Sequence, residues 1–125
     1  MTDRQLVIAA SLVLLVGVGA GAFGAHGLRR IISPDLLSVW QTAVLYQLIH
    51  GLGMLAIAAL GAKFGSSLLS NAGVVMFAGI VIFSGSLYVL ALTGTKWLGA
   101  ITPIGGLAFI VAWAMVALAA YRTAQ

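Results

Sequence analysis

The sequence predicts an all-α membrane protein, a compact four-transmembrane-helix bundle with short loops. Two observations carry this. Of 125 residues, 62% are hydrophobic and only 6% charged, whereas a soluble domain carries about 25% charged residues. The few charges also leave four uncharged runs, Gln5 to Leu28, Leu36 to Ala62, Phe64 to Thr95 and Trp97 to Tyr121. Each exceeds the roughly 20 residues that cross a hydrocarbon core of about 30 Å. We therefore expect one membrane domain, 1–125, with helices near 5–28, 34–62, 68–92 and 102–122.

Taken in order, the first run imitates a secretory signal peptide, with an apolar stretch from Leu6 to Val16 followed by Ala20-Gly21-Ala22. We read it as a retained helix. At 100° per residue Gly17, Gly21 and Gly24 fall within about 60° of one another, and Ala10 and Ala20 extend the stripe. Such a smooth surface predicts a packing interface, either with a neighbouring helix of the same chain or between subunits.

The second helix opens on Ser33-Pro34-Asp35, a capping hydroxyl, a proline at the first helical position and an acid in the first turn. From Asp35, the residues Ser38, Thr42, Tyr46, His50 and Gly53 lie within about 60° of one face. Polar side chains avoid lipid, so this face is expected to look into the bundle or a wet crevice. Tyr46 and His50 are one turn apart, close enough for a hydrogen bond, direct or through water. The third helix should begin in Gly65-Ser66-Ser67 or Ser70-Asn71 and end at Thr93-Gly94-Thr95. Thr102-Pro103 repeats the cap-plus-proline pattern for the fourth.

The net charge of +4 does not point to nucleic acid, because the cations are single residues or one pair that punctuate apolar runs. Arg29, Arg30, Trp40 and Trp97 read as interfacial anchors, with Tyr121 in the same belt. Trp113, mid-run, is expected to pack against a neighbour or face lipid. Four spans place both termini on one side. Orientation is then a tie, Arg4, Lys63 and Arg122 against Arg29, Arg30 and Lys96.

Absences shape the functional expectation. The sequence has no cysteine, and no Asp or Glu follows Asp35. It has no phosphate-binding loop, no HExxH, no GxSxG and no acid pair for general acid/base chemistry. We expect no enzyme, no cofactor and no metal site. His26 and His50 are the titratable side chains near neutrality, and His50 is the deeper. In a hairpin turning near residue 32 the two lie roughly 18 Å apart in depth, too far to share a metal or a haem. The candidate polar residues are His26, His50, Tyr46, Thr42, Ser84 and Tyr88.

Four ordered motifs have a familiar arrangement. They are Gly21-Ala22-Phe23-Gly24-Ala25-His26-Gly27-Leu28; then Trp40, Thr42-Ala43, Tyr46 and His50; then Phe83-Ser84-Gly85-Ser86-Leu87-Tyr88; and Ile101-Thr102-Pro103-Ile104-Gly105-Gly106. Together they resemble the small membrane-protein family labelled domain of unknown function 423, to which eukaryotic transmembrane protein 256 is related. The resemblance spans essentially the whole chain. It implies a compact four-helix protein of the bacterial inner membrane and supplies no activity, substrate or cofactor. The family's recurrent positions match His26, Trp40, Tyr46, His50, Ser84, Tyr88 and Pro103 here.

The preferred functional expectation is a non-enzymatic protein acting by helix–helix assembly, as a homo-oligomer or as an accessory subunit of a membrane complex. One alternative is a small pore or carrier, with a dual-topology dimer as one version of it, in which Thr42, Tyr46, His50, Ser84, Ser86 and Tyr88 lie along a polar path. Another is binding of haem by a histidine, or of an anionic lipid by Arg29 and Arg30. The expected partners are the lipid bilayer and membrane proteins.

Overall fold

A computed structural model describes residues 1–123. Its spanning helices are α1 (Asp3–Ala25), α2 (Pro34–Phe64), α3 (Ser67–Thr93) and α4 (Thr102–Thr123), with short 3-10 turns at Leu28–Arg30 and Lys96–Ala100. All four are long and apolar enough to cross a membrane. Neighbours in sequence are neighbours in space. The middle of the bundle is α2 packed on α3; α1 lies against α2, α4 lies against α3, and α1 and α4 do not meet. The outer pair accordingly buries one stripe each and leaves the rest to lipid.

Local chemistry sets the helix ends. α1 begins at Asp3 because Thr2 and Gln5 form a reciprocal capping box, each side chain accepting from the other's backbone N–H at 3.1 Å. It stops at Ala25, earlier than the apolar run suggests, where His26 leaves helical geometry at φ −117° and ψ −80°. Ser33 caps α2 by accepting from Leu36 N–H at 3.3 Å, with Pro34 as its first residue. Ser66 caps α3, and Gly94 closes it at φ +71°, a left-handed turn that favours glycine. Thr102 departs from expectation. The chain enters α4 already helical at Ile101, so the Thr102 side chain caps nothing; its hydroxyl accompanies the Leu98 carbonyl at 3.3 Å and pairs with Ser86 at 2.7 Å.

The glycine stripe of α1 packs within the chain, on α2. A Cβ on Gly17 would sit 2.8 Å from Leu48 Cδ2, one on Gly24 2.7 Å from Trp40 Cδ1, and one on Gly21 3.3 Å from Val44. Hydrogen bonds follow from the same bareness. In a helix the residue four positions on stands over a given carbonyl, and where it is glycine that carbonyl lies open. Gly24 uncovers the Ala20 carbonyl, to which Trp40 Nε1–H donates at 2.8 Å. Gly17 uncovers the Val13 carbonyl, to which Gln47 Nε2–H donates at 2.8 Å.

Trp40 is therefore not the exposed belt residue expected of it. It is 7% exposed, packed edge-on against Phe23 and tilted against Tyr88. The glycine gap at Gly24 admits its ring and the Ala20 carbonyl satisfies its N–H. Trp97 and Tyr121, each 66% exposed, remain free to stand at the headgroup level.

Each sequential helix pair is joined by at least one such bond. Tyr88 donates to Gln47 Oε1 at 2.5 Å, and Ser84 donates to the Ala43 carbonyl at 2.7 Å, tying α3 to α2. The Ser86–Thr102 pair ties α3 to α4. In lipid these bonds and close packing do the holding, because a buried leucine gains little over one in contact with acyl chains.

Two stability predictions follow. Gly24→Val should displace the Trp40 indole and destabilise the fold by about 1–3 kcal/mol, as overpacking does, read as a lower midpoint in detergent-denaturation curves. Gln47→Leu should cost about 0.6–1.7 kcal/mol, from the mean to the maximum measured for a single membrane hydrogen bond. Because Gln47 bridges three helices, its loss should exceed that of Tyr88→Phe; equal losses would mean that the bond to Val13 contributes nothing.

Candidate functional site

The deep polar residues do not share one environment. On α2 the expected polar face starts in the open, with Asp35 and Ser38 exposed and Thr42 half-buried, and closes only at His50 and Gly53. Thr42 donates back to the Ser38 carbonyl at 3.1 Å. Ser84 and Tyr88 donate their hydroxyl protons to the Ala43 carbonyl and to Gln47 Oε1 on α2. His26, Arg29 and Arg30 are exposed at the α1–α2 turn. Ser84 and Tyr88 thus tie α3 to α2 while Thr42 bonds within its own helix, and none of the three lines the groove that holds Tyr46 and His50.

Tyr46 and His50 sit together in a groove between α2, α3 and α4. Its volume is about 590 Å³ and its walls are Tyr46, His50, Phe83, Pro103, Phe109 and Trp113, with Gly106, Leu107 and Ile110 along α4. Three glycines, one on each helix, give it its shape. Gly105 lets the α4 backbone approach α3 so closely that a Cβ would fall 2.5 Å from the Phe83 nitrogen. Gly79 receives the Phe109 ring, and Gly53 receives the edge of Trp113. Phe109 then stacks on the His50 imidazole, with centroids 3.6 Å apart and planes 10° off parallel. Tyr46 covers Phe83 at 4.5 Å, and Trp113 tilts toward His50 at 5.9 Å.

His50 is 5% exposed. Its Nδ1 lies 2.9 Å from the Tyr46 backbone carbonyl. A carbonyl only accepts, so Nδ1 carries a proton and donates it. The tyrosine–histidine bond expected from their spacing thus runs to the backbone, while the two rings lie parallel with centroids 5.9 Å apart. Nε2 bonds to no described residue, and it is not sealed from contact. His50 is itself a wall of the groove, and the groove is the open space beside this unpaired nitrogen.

Depth follows from helix position. His50 is midway along α2, and Phe109 and Trp113 are near the middle of α4. From Pro103 at the start of α4 to Trp113 the groove runs about 15 Å, from near the membrane surface to its middle. Its open side is continuous with Ile104, Leu107 and Ile110, each 59% exposed or more. Trp113 is both a wall of the groove and open to lipid, 42% exposed. Among the described residues no cluster of three or more His, Cys, Asp or Glu side chains exists to hold a metal.

Sequence reasoning missed Gln47 and the aromatic lining from α4. Gln47 lies off the face measured from Asp35. The usable signal was its chemistry alone, since a carboxamide in the middle of an apolar span must find partners.

A family model described as a protein of unknown function (DUF423) matches residues 20–106. The UPF0382 membrane protein YwdK of Bacillus subtilis is 49% identical over 120 residues, covering 95% of this chain and 98% of its own. A UPF0382 membrane protein of Staphylococcus saprophyticus is likewise 49% identical with the same coverage. One from Staphylococcus aureus strain USA300 is 50% identical over 122 residues, 97% of this chain and 98% of its own. No solved structure matches. With its four apolar helices and near-complete overlap with these relatives, the chain belongs to the DUF423 family of membrane proteins.

Proposed function

We propose that the protein is a non-catalytic binding protein of the bacterial cytoplasmic membrane, which takes a membrane-dissolved molecule into the groove between α2, α3 and α4. The observation that carries this reading is a buried histidine in the wall of an aromatic groove on the lipid side of the bundle, its Nε2 without a partner among the described residues. An apolar cleft with one or two convergent polar groups is the usual form of a small-molecule site. The location in the cytoplasmic membrane is supported by membrane-protein relatives in Bacillus and Staphylococcus.

The non-catalytic part rests on what surrounds His50. Its neighbours are the rings of Phe109, Tyr46 and Trp113. No carboxylate follows Asp35 in the sequence to pair with it, and acid/base or nucleophilic work requires a second group within hydrogen-bond reach. Beside His50 the groove adds only the Tyr46 phenol as a further metal-ligating group, too few for a resident metal ion, and we propose no cofactor. A pore reading loses support because Ser84, Ser86 and Tyr88 donate to partners inside the bundle. Self-assembly loses its original motive, since Gly17, Gly21 and Gly24 are occupied by α2.

Gly106 offers a selective test. A Cβ there would meet nothing nearer than Phe83 at 3.9 Å, so Gly106→Leu should fill the groove and leave the packing intact. In nanodiscs, a diazirine-bearing decylbenzene should label peptides containing Phe83, Ile110 and Trp113 saturably in the parent protein. Labelling should fall at least tenfold in Gly106→Leu. Non-saturable labelling spread along all four helices would overturn the reading.

A further inference from the structure

Building on the groove as a binding site, we infer that its ligand is an uncharged, lipid-soluble phenolic amphiphile whose ring hydroxyl donates a hydrogen bond to His50 Nε2 at mid-membrane depth. Three features of the site select this chemistry.

The first is the direction of the bond. A neutral imidazole has one N–H, and His50 uses it on the Tyr46 carbonyl at 2.9 Å. Nε2 is left as a lone-pair acceptor. A doubly protonated ring would need a counter-ion at this depth, and the sequence has no acidic residue after Asp35. The complement of Nε2 is therefore a donor, an O–H or N–H, and not a carbonyl or ether oxygen.

The second is depth. Phospholipid headgroups are held at the interface, on the order of 15 Å from the bilayer middle. An acyl chain can enter the groove from there, but it brings no donor to Nε2. A charged or zwitterionic group is excluded by the cost of moving it to mid-membrane. The donor must belong to a molecule polar at one point and otherwise at home in hydrocarbon.

The third is shape. The walls of the groove that His50 lines are flat rings from three helices, Tyr46 on α2, Phe83 on α3 and Phe109 and Trp113 on α4. Aromatic faces and edges favour an aromatic partner over a flexible chain by about 0.5–1.5 kcal/mol per pair. The tail then follows Leu107 and Ile110 toward lipid, and the volume of about 590 Å³ accommodates a substituted ring with the first part of its tail.

Competition against the photoreactive decylbenzene separates these features. 4-Decylphenol should compete at least tenfold better than 4-decylanisole, which differs only in having a methyl in place of the donated proton. It should also outcompete dodecanol, which has a hydroxyl and no ring. His50→Phe keeps the stacking surface and removes the acceptor, so phenol and anisole should become equal competitors. His50→Gln offers an amide oxygen in the region of Nε2 and should restore part of the preference. If phenol and anisole compete equally in the parent protein, the hydroxyl assignment fails while groove binding stands. A better showing by dodecanol overturns the ring. If no compound competes with saturable labelling in the parent protein, the binding reading itself fails, and this inference with it.

Discussion

The architecture depends on the α1–α2 seam, where backbone carbonyls laid bare by glycine accept hydrogen bonds from side chains of the facing helix. Apolar burial drives folding in water, but in a bilayer a helix already sits in apolar surroundings and has no such reason to leave them. Close backbone approach and polar cross-links must do the work. The two α1 carbonyls involved, Ala20 and Val13, are seven residues apart, as are their donors Trp40 and Gln47 on the antiparallel α2. Seven residues are two helical turns, so the same contact is made twice along one seam and fixes register as well as distance.

Register on that side constrains the other. Gln47 is held by Val13 through its Nε2 and accepts from Tyr88 through its Oε1, so the rotation of α2 that satisfies α1 also presents an acceptor to α3. His50, three residues on, is thereby turned away from α1 and toward α4. Glycine then works in the second seam in a different manner. Gly79 and Gly53 receive aromatic rings, and Gly105 lets α4 close onto Phe83. Close contact at the start of α4 and bulky rings toward its middle frame the groove between them.

The spans were legible in the sequence because charge is so costly in lipid that its spacing outlines the helices. The capping residues Ser33 and Pro34 were legible for a local reason, since a cap is satisfied within four residues. What the sequence did not disclose depends on the partner helix. Trp40 lies near a helix end, as a belt residue does, and only the gap at Gly24 on another helix makes it a buried donor. Thr102 precedes a proline as a cap does, yet the preceding 3-10 turn delivers the chain already helical and frees the hydroxyl for Ser86. Tyr46 and His50 were found by polarity, but the phenylalanines and Trp113 that make their surroundings a groove look like any other apolar residue in a span.

The contrast between Gln47 and His50 shows where function can reside in such a small bundle. Both are buried polar residues near the middle of α2, and both face the same penalty for an unmatched polar atom in hydrocarbon. Gln47 matches both its amide atoms within the protein, Nε2 donating on one side and Oε1 accepting on the other. His50 resolves half of it, with Nδ1 matched and Nε2 left unmatched in the wall of the groove. A residue whose only task was to join helices would gain by matching both atoms, and the Ser86–Thr102 pair shows that hydroxyls were available to neighbouring helices for that purpose. The unmatched nitrogen is a standing cost to the folded protein, one that a ligand with a single donor removes on binding.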